Sequence, residues 1–87
     1  MLESQIEKKC TAIAKAQGWL AFKFSSPSNR GVPDRIYLKN GVCKFVEFKR
    51  KGLLPTPLQS KRIEQLRAQG FSVFVVDSVE SFAHVIA

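Results

Sequence analysis

Residues 31–51 read Gly31-Val32-Pro33-Asp34-Arg35-Ile36-Tyr37-Leu38-Lys39-Asn40-Gly41-Val42-Cys43-Lys44-Phe45-Val46-Glu47-Phe48-Lys49-Arg50-Lys51. Two short apolar runs flank Asn40-Gly41, a dipeptide that favours a two-residue hairpin turn because both positions tolerate positive φ. Such a turn pairs Lys39 with Val42, Tyr37 with Lys44, Ile36 with Phe45, Arg35 with Val46 and Asp34 with Glu47. Directly opposed residues share a face, with Cβ atoms about 5 Å apart, and alternation along the strand adds Lys49 to that face. Two carboxylates and an ammonium therefore converge at the open end of one hairpin. Like charges set opposite each other are destabilising, so the arrangement calls for a cation between them. A divalent metal suits, since hard cations take carboxylate oxygens.

Upstream, Ser25 to Pro33 is a loop by composition, rich in hydroxyls and amides and carrying Arg30. It reads either as a plain surface connection or as a phosphate-contacting segment beside the carboxylates. Trp19–Phe24 is a strand whose two faces are both largely apolar, which predicts cover on both sides. Before it, Leu2, Ile6, Cys10, Ile13 and Ala14 recur at helical spacing, giving an amphipathic helix from residue 2 to Gln17 that Gly18 stops. Glu3 sits at the edge of its apolar stripe, and Glu7 turns more toward solvent.

Downstream, Thr56-Pro57-Leu58-Gln59 opens a second helix: Thr56 as N-cap, Pro57 at the first helical position and Gln59 closing a capping box. Leu58, Ile63 and Leu66 face inward. Lys61, Arg62 and Arg67 lie outside, either as a solvated face or as phosphate contacts. Phe71–Val76 is a nearly continuous apolar run, the pattern of a buried parallel strand. Asp77, with Glu80 three residues on, caps a last helix from Ser78 to Ala87, with Val79, Phe82, Ala83 and Ile86 inside and His84 facing solvent. The chain thus reads as one α/β domain over residues 1–87, ordered αβββαβα, with a mixed four-stranded sheet flanked by helices.

The chain has 87 residues, 14 Lys plus Arg against 7 Asp plus Glu, a net charge of +7, and 45% apolar residues. That suffices for a modest core, and oligomerisation would bury more surface. The basic excess points to a polyanionic partner. No apolar run approaches the roughly 18 residues of a membrane span, and no signal-peptide pattern opens the chain. The expectation is a cytoplasmic protein of a bacterial or phage-infected cell, with no membrane partner. Cys10 and Cys43 fall on apolar faces and read as buried thiols. With His84 the only histidine, no zinc site can be built from His and Cys alone.

Asp34, Glu47 and Lys49 have a coherent task together. Two carboxylates can hold Mg²⁺ or Mn²⁺ and leave positions for water and a phosphate oxygen. Such a metal polarises phosphate and activates water, and Lys49 can orient that water or offset developing charge. The backbone carbonyl of Phe48 is a further possible ligand. Glu3 would extend the site through water if the first helix packs nearby.

Pro33-Asp34, twelve intervening residues and then Glu47-Phe48-Lys49 resemble the bipartite PD-(D/E)xK nuclease motif. More narrowly, Gly31-Val32-Pro33-Asp34, Glu47-Phe48-Lys49-Arg50 and Leu54-Pro55-Thr56-Pro57-Leu58-Gln59 resemble the virus-type replication–repair nuclease (VRR-NUC) family, in its short stand-alone phage form. The resemblance implies a restriction-endonuclease-like core and a Mg²⁺- or Mn²⁺-dependent endodeoxyribonuclease. Asp34 and Glu47 would be metal ligands, Lys49 the catalytic lysine and Glu3 an accessory acid, with Glu7 the alternative. Gln59 matches a glutamine the family places near the site, a role compatible with the capping box. The resemblance further implies a homodimer acting on branched DNA such as Holliday (four-way) junctions. Arg30, Arg35, Arg50, Lys51, Lys61 and Arg62 are the DNA-contact candidates, joined on the first helix by Lys8 and Lys9. Two rivals remain: a non-catalytic nucleic-acid-binding module, and a restriction-type enzyme that cuts linear duplex.

Overall fold

The computed structural model describes residues 1–87. The elements run α1 (Glu3–Ala16), β1 (Leu20–Lys23), β2 (Arg35–Lys39), β3 (Val42–Phe48), α2 (Pro57–Ala68), β4 (Ser72–Val76) and α3 (Val79–Ile86). The order is the expected αβββαβα. The sheet is mixed, in the order β1-β2-β3-β4, with β1, β2 and β3 antiparallel and β4 parallel to β3.

The β2–β3 turn has the predicted register, from Lys39 opposite Val42 to Arg35 opposite Val46. Asn40 and Gly41 take φ of 49° and 78°, the double positive pair of a type I′ turn. That turn matches the right-handed twist of the strands it joins, so the loop selects the register without help from the core.

Strand alternation sorts the side chains onto two faces. Tyr37, Val46, Phe48 and Val76 point to one face, where α1 and α3 bury them against Ile6, Cys10, Phe82 and Val85. On the other face Phe45 and Val73 meet Ile63 of α2, with Phe24, Ile36 and Leu66 around them. The second layer is a single helix, and this accounts for two departures from expectation. β1 is an edge strand with Leu20 and Phe22 about half exposed (53% and 52%), since α2 does not reach that far across the sheet. β4 is the other edge, with Val75 and the adjoining Phe71 partly open, so its apolar run does not mark a central strand.

Helix starts follow local chemistry. In α2, Thr56 Oγ1 accepts from the Gln59 amide at 3.2 Å, while the Thr56 amide donates to Gln59 Oε1 at 2.9 Å. Both halves of the box are thus made. In α3 the cap is Ser78, whose hydroxyl oxygen accepts from the Ser81 amide, and not Asp77. The buried stripe of α3 is Phe82, Val85 and Ile86, while Ala83 is exposed. His84 is exposed, as the sequence predicts. No helix is long and apolar enough to cross a membrane. Cys10 is buried, Cys43 is half-buried, and both are free thiols.

Candidate active site at the end of the hairpin

Asp34 lies one residue before β2 and Glu47 one residue before the end of β3, with Lys49 just beyond. The backbone ladder stops at Arg35 and Val46. The Asp34 side chain takes over from there: Oδ2 accepts the Phe48 amide at 2.9 Å. Its carbonyl meanwhile accepts the Phe24 amide at 2.9 Å. Asp34 is therefore held by β1 through its backbone and by β3 through its carboxylate. Gly31 sets the approach to it. At φ 86°, a Cβ there would stand 2.9 Å from Leu58 Cγ, so only glycine lets this loop lie against the first turn of α2.

Phe48 points into the α1/α3 core with no exposure. Its neighbours Glu47 and Lys49 therefore turn to the α2 face. Glu47 is 1% exposed. Its Oε2 accepts from Gln59 Nε2 at 3.0 Å and faces Lys49 Nζ at 3.8 Å. Gln59 thus performs both tasks the sequence allowed it. Its carbonyl oxygen closes the α2 cap and its amide nitrogen holds the carboxylate. The other oxygen, Glu47 Oε1, is buried with no hydrogen-bond partner. An unpaired buried carboxylate oxygen is costly. Burial, then the nearby Asp34 charge, push the Glu47 carboxyl up to about 7, against the opposing pull of Lys49. Asp34 is also raised, chiefly by burial, with the Phe48 amide pulling the other way.

These donors fit a hard divalent cation. Asp34 and Glu47 offer carboxylate oxygens, one of them an orphan in want of a positive partner, and Mg²⁺ commonly takes only one or two protein carboxylates with water completing its shell. No group of three or more His, Cys, Asp or Glu side chains forms a ready-made metal cluster. Glu3, half-buried on α1, adds its charge to that of Asp34 in raising the Glu47 carboxyl. Glu7 departs from the expectation of a solvent-facing acid. Its Oε2 accepts from Arg35 Nε at 2.7 Å, with both side chains only 16% exposed. Arg35 sits on the α1 face of β2, and α1 brings Glu7 down onto it.

That ion pair engages Arg35, one of the DNA-contact candidates. Arg62 is likewise engaged: Nε donates to the Arg30 carbonyl at 2.8 Å and Nη1 to Gln65 Oε1 at 3.0 Å, tying the loop to α2. Arg30, Arg50, Lys51 and Lys61 remain exposed, without ion pairs. Sequence reasoning missed the Glu7–Arg35 pair and the Gly31 contact. The only prior signal for the latter was a glycine two residues before Pro33-Asp34.

No family model matches the chain. It is 46% identical, over 77 residues, to "Putative nuclease p44" of Acyrthosiphon pisum secondary endosymbiont phage 1, covering 87% of this chain and 83% of that protein. A solved "VRR_NUC domain" superposes with a TM-score of 0.89 at 34% identity, covering 97% of this chain and 92% of the other. A "VRR_NUC domain protein" superposes at 0.81 with 19% identity, over 99% of this chain and 85% of its own, and shares the fold.

Proposed function

Because the chain belongs to the VRR-NUC family, we propose that residues 1–87 act as a Mg²⁺- or Mn²⁺-dependent endodeoxyribonuclease domain, cutting branched DNA such as four-way junctions as a homodimer. One observation carries the metal-dependent reading. Glu47 is buried beside Asp34 with an unpartnered oxygen and a lysine 3.8 Å from its other one. A non-catalytic binding module has no use for that buried repulsion, whereas a cation held by Asp34, Glu47 and the Phe48 carbonyl balances it.

When bound, such a cation supplies Lewis-acid polarisation of the phosphodiester and a lowered pKa for coordinated water. The chain's own groups do the rest. The Phe48 amide fixes Asp34, and Gln59 fixes one oxygen of Glu47 so that the other stays free. The ammonium of Lys49, whose side chain is 12% exposed, orients the attacking water or offsets negative charge as it develops on the phosphate. Glu3 adds negative potential behind the carboxylates and takes part only through water. Arg30, Arg50, Lys51 and Lys61 supply salt-dependent backbone affinity and carry no base-reading pattern, which favours shape over sequence as the basis of selection. Two-fold symmetry of a dimer suits paired cuts on a two-fold junction.

The test is cleavage of a four-way junction and of linear duplex of the same sequence, each with Mg²⁺, Mn²⁺ or EDTA. The junction is expected to be cut only with metal and in preference to the duplex. Lys49→Ala is expected to lose about 10²–10³-fold in rate, the usual effect of removing one charge-stabilising donor. No metal-dependent cutting by folded protein, or undiminished cutting by Lys49→Ala, overturns the nuclease reading. Equal or better cutting of linear duplex overturns the branched-DNA part alone.

A further inference from the structure

On the face of the sheet away from α2, a groove of about 460 Å³ lies between α1 and the paired ends of β1 and β2. Its lining includes Lys8, Lys15, Lys23 and Arg35, and a single carboxylate, Glu7. Arg35 occupies that carboxylate. Lys8, Lys15 and Lys23 have no acidic group within ion-pair distance. The β1–β2 register sets Lys23 directly opposite Arg35, a like-charge pair of the kind that destabilises a sheet. Lys8 and Lys15 overhang the same groove from α1, seven residues or about 10 Å apart along the helix. None of these three lysines makes an ion pair, although Lys23 is near enough to Asp34 for its charge to favour that carboxylate.

The groove also has a defined place relative to the carboxylates. Lys23 adjoins Phe24, whose amide donates to the Asp34 carbonyl. Arg35 follows Asp34 directly. Groove and site thus share one end of the sheet but open on opposite faces of it. Each face carries its own cations: Lys8, Lys15 and Lys23 on one, Arg30 and Lys61 on the other. A single straight duplex docked at the α2 face would leave the α1 groove unused.

We propose that this groove seats the sugar–phosphate backbone of a second DNA arm, one diverging around the end of the sheet from the arm held at Asp34 and Glu47. The assignment rests on the nuclease reading above. With one phosphate per roughly 3.4 Å of axis along a strand, the span from Lys8 to Lys15 accommodates about three phosphates. Three unpaired ammonium groups are available to meet them.

The test is equilibrium binding in EDTA, where nothing is cut, to a four-way junction and to linear duplex across a salt series. The protein is compared with the triple variant Lys8→Ala, Lys15→Ala, Lys23→Gln. The helical changes favour helix, and the strand change relieves repulsion against Arg35, so thermal stability should be unchanged or raised. For the junction, the slope of log K against log salt is expected to shrink by about 2.7, at about 0.9 per lost phosphate contact. For linear duplex it is expected to stay near the wild-type value. As a single-site check, Lys15→Ala should weaken junction binding and leave linear-duplex binding near the wild-type value. An unchanged junction slope overturns the groove. An equal decrease for both DNAs overturns the second-arm assignment. Wild-type protein that binds neither DNA overturns the nuclease reading itself, which separates the two failures.

Discussion

Glu47 titrates in an unusual direction for a residue with a lysine neighbour. Burial and Asp34 outweigh Lys49 and raise its carboxyl to about 7 from an ordinary 4.5. Below about 4.5 the folded and unfolded chains both hold the proton, and above about 7 neither does. Between these values only the folded chain is protonated, so metal-free stability falls as pH rises through that window and stays low above it. The difference corresponds to about 3 kcal/mol at about 1.4 kcal/mol per unit. Urea unfolding in EDTA is therefore expected to give a lower midpoint at pH 8 than at pH 5. Glu47→Gln should flatten the dependence, and saturating Mg²⁺ should restore wild-type stability at pH 8, because a cation that binds only the folded state stabilises it. Gln59 offers a second test at this scale. Gln59→Glu keeps an acceptor for the Thr56 amide, so α2 stays capped, but it replaces the donor facing Glu47 with a like charge. Cleavage is expected to collapse with little loss of helix content by circular dichroism. Gln59→Ala should instead lose about 1 kcal/mol from the cap as well.

At the scale of elements, the β2–β3 hairpin is a measuring device. Its turn lies at one end and the carboxylates at the other, and the register between them carries the alignment. One glycine inserted between Asn40 and Gly41 abolishes the two-residue turn, and a one-residue slip sends every β3 side chain to the opposite face. Glu47 and Lys49 would then point into the α1/α3 core. Calorimetry is expected to show loss of Mn²⁺ binding by the insertion variant, and retained affinity would mean that a bulge absorbs the extra residue. This hairpin was legible from Asn40-Gly41 and the flanking alternation alone, as was the Thr56–Gln59 cap, because both depend on residues near in sequence. The cover on β1 was not legible. Leu20 and Phe22 look the same in a sequence whether a helix reaches them or not.

For the whole molecule, the charge of +7 and the separation of cations onto both faces of the sheet favour encounter with nucleic acid. Junction binding should weaken steeply between low and physiological salt. The proposed dimer is checked by size exclusion with light scattering. The expected mass is twice that of the 9.8 kDa chain, and a monomer at assay concentration would count against paired cutting.

By itself, the sequence determined the order of elements, the hairpin register, the α2 cap, and the placing of Asp34, Glu47 and Lys49 on one face. All follow from backbone periodicity and turn chemistry acting over a few residues. Tertiary structure decided which of those groups lost its water. Packing left Glu47 with an orphan oxygen, drew Glu7 onto Arg35, and left both edge strands half open. Burial depends on which helix covers which part of the sheet, a relation between distant segments that no local pattern encodes.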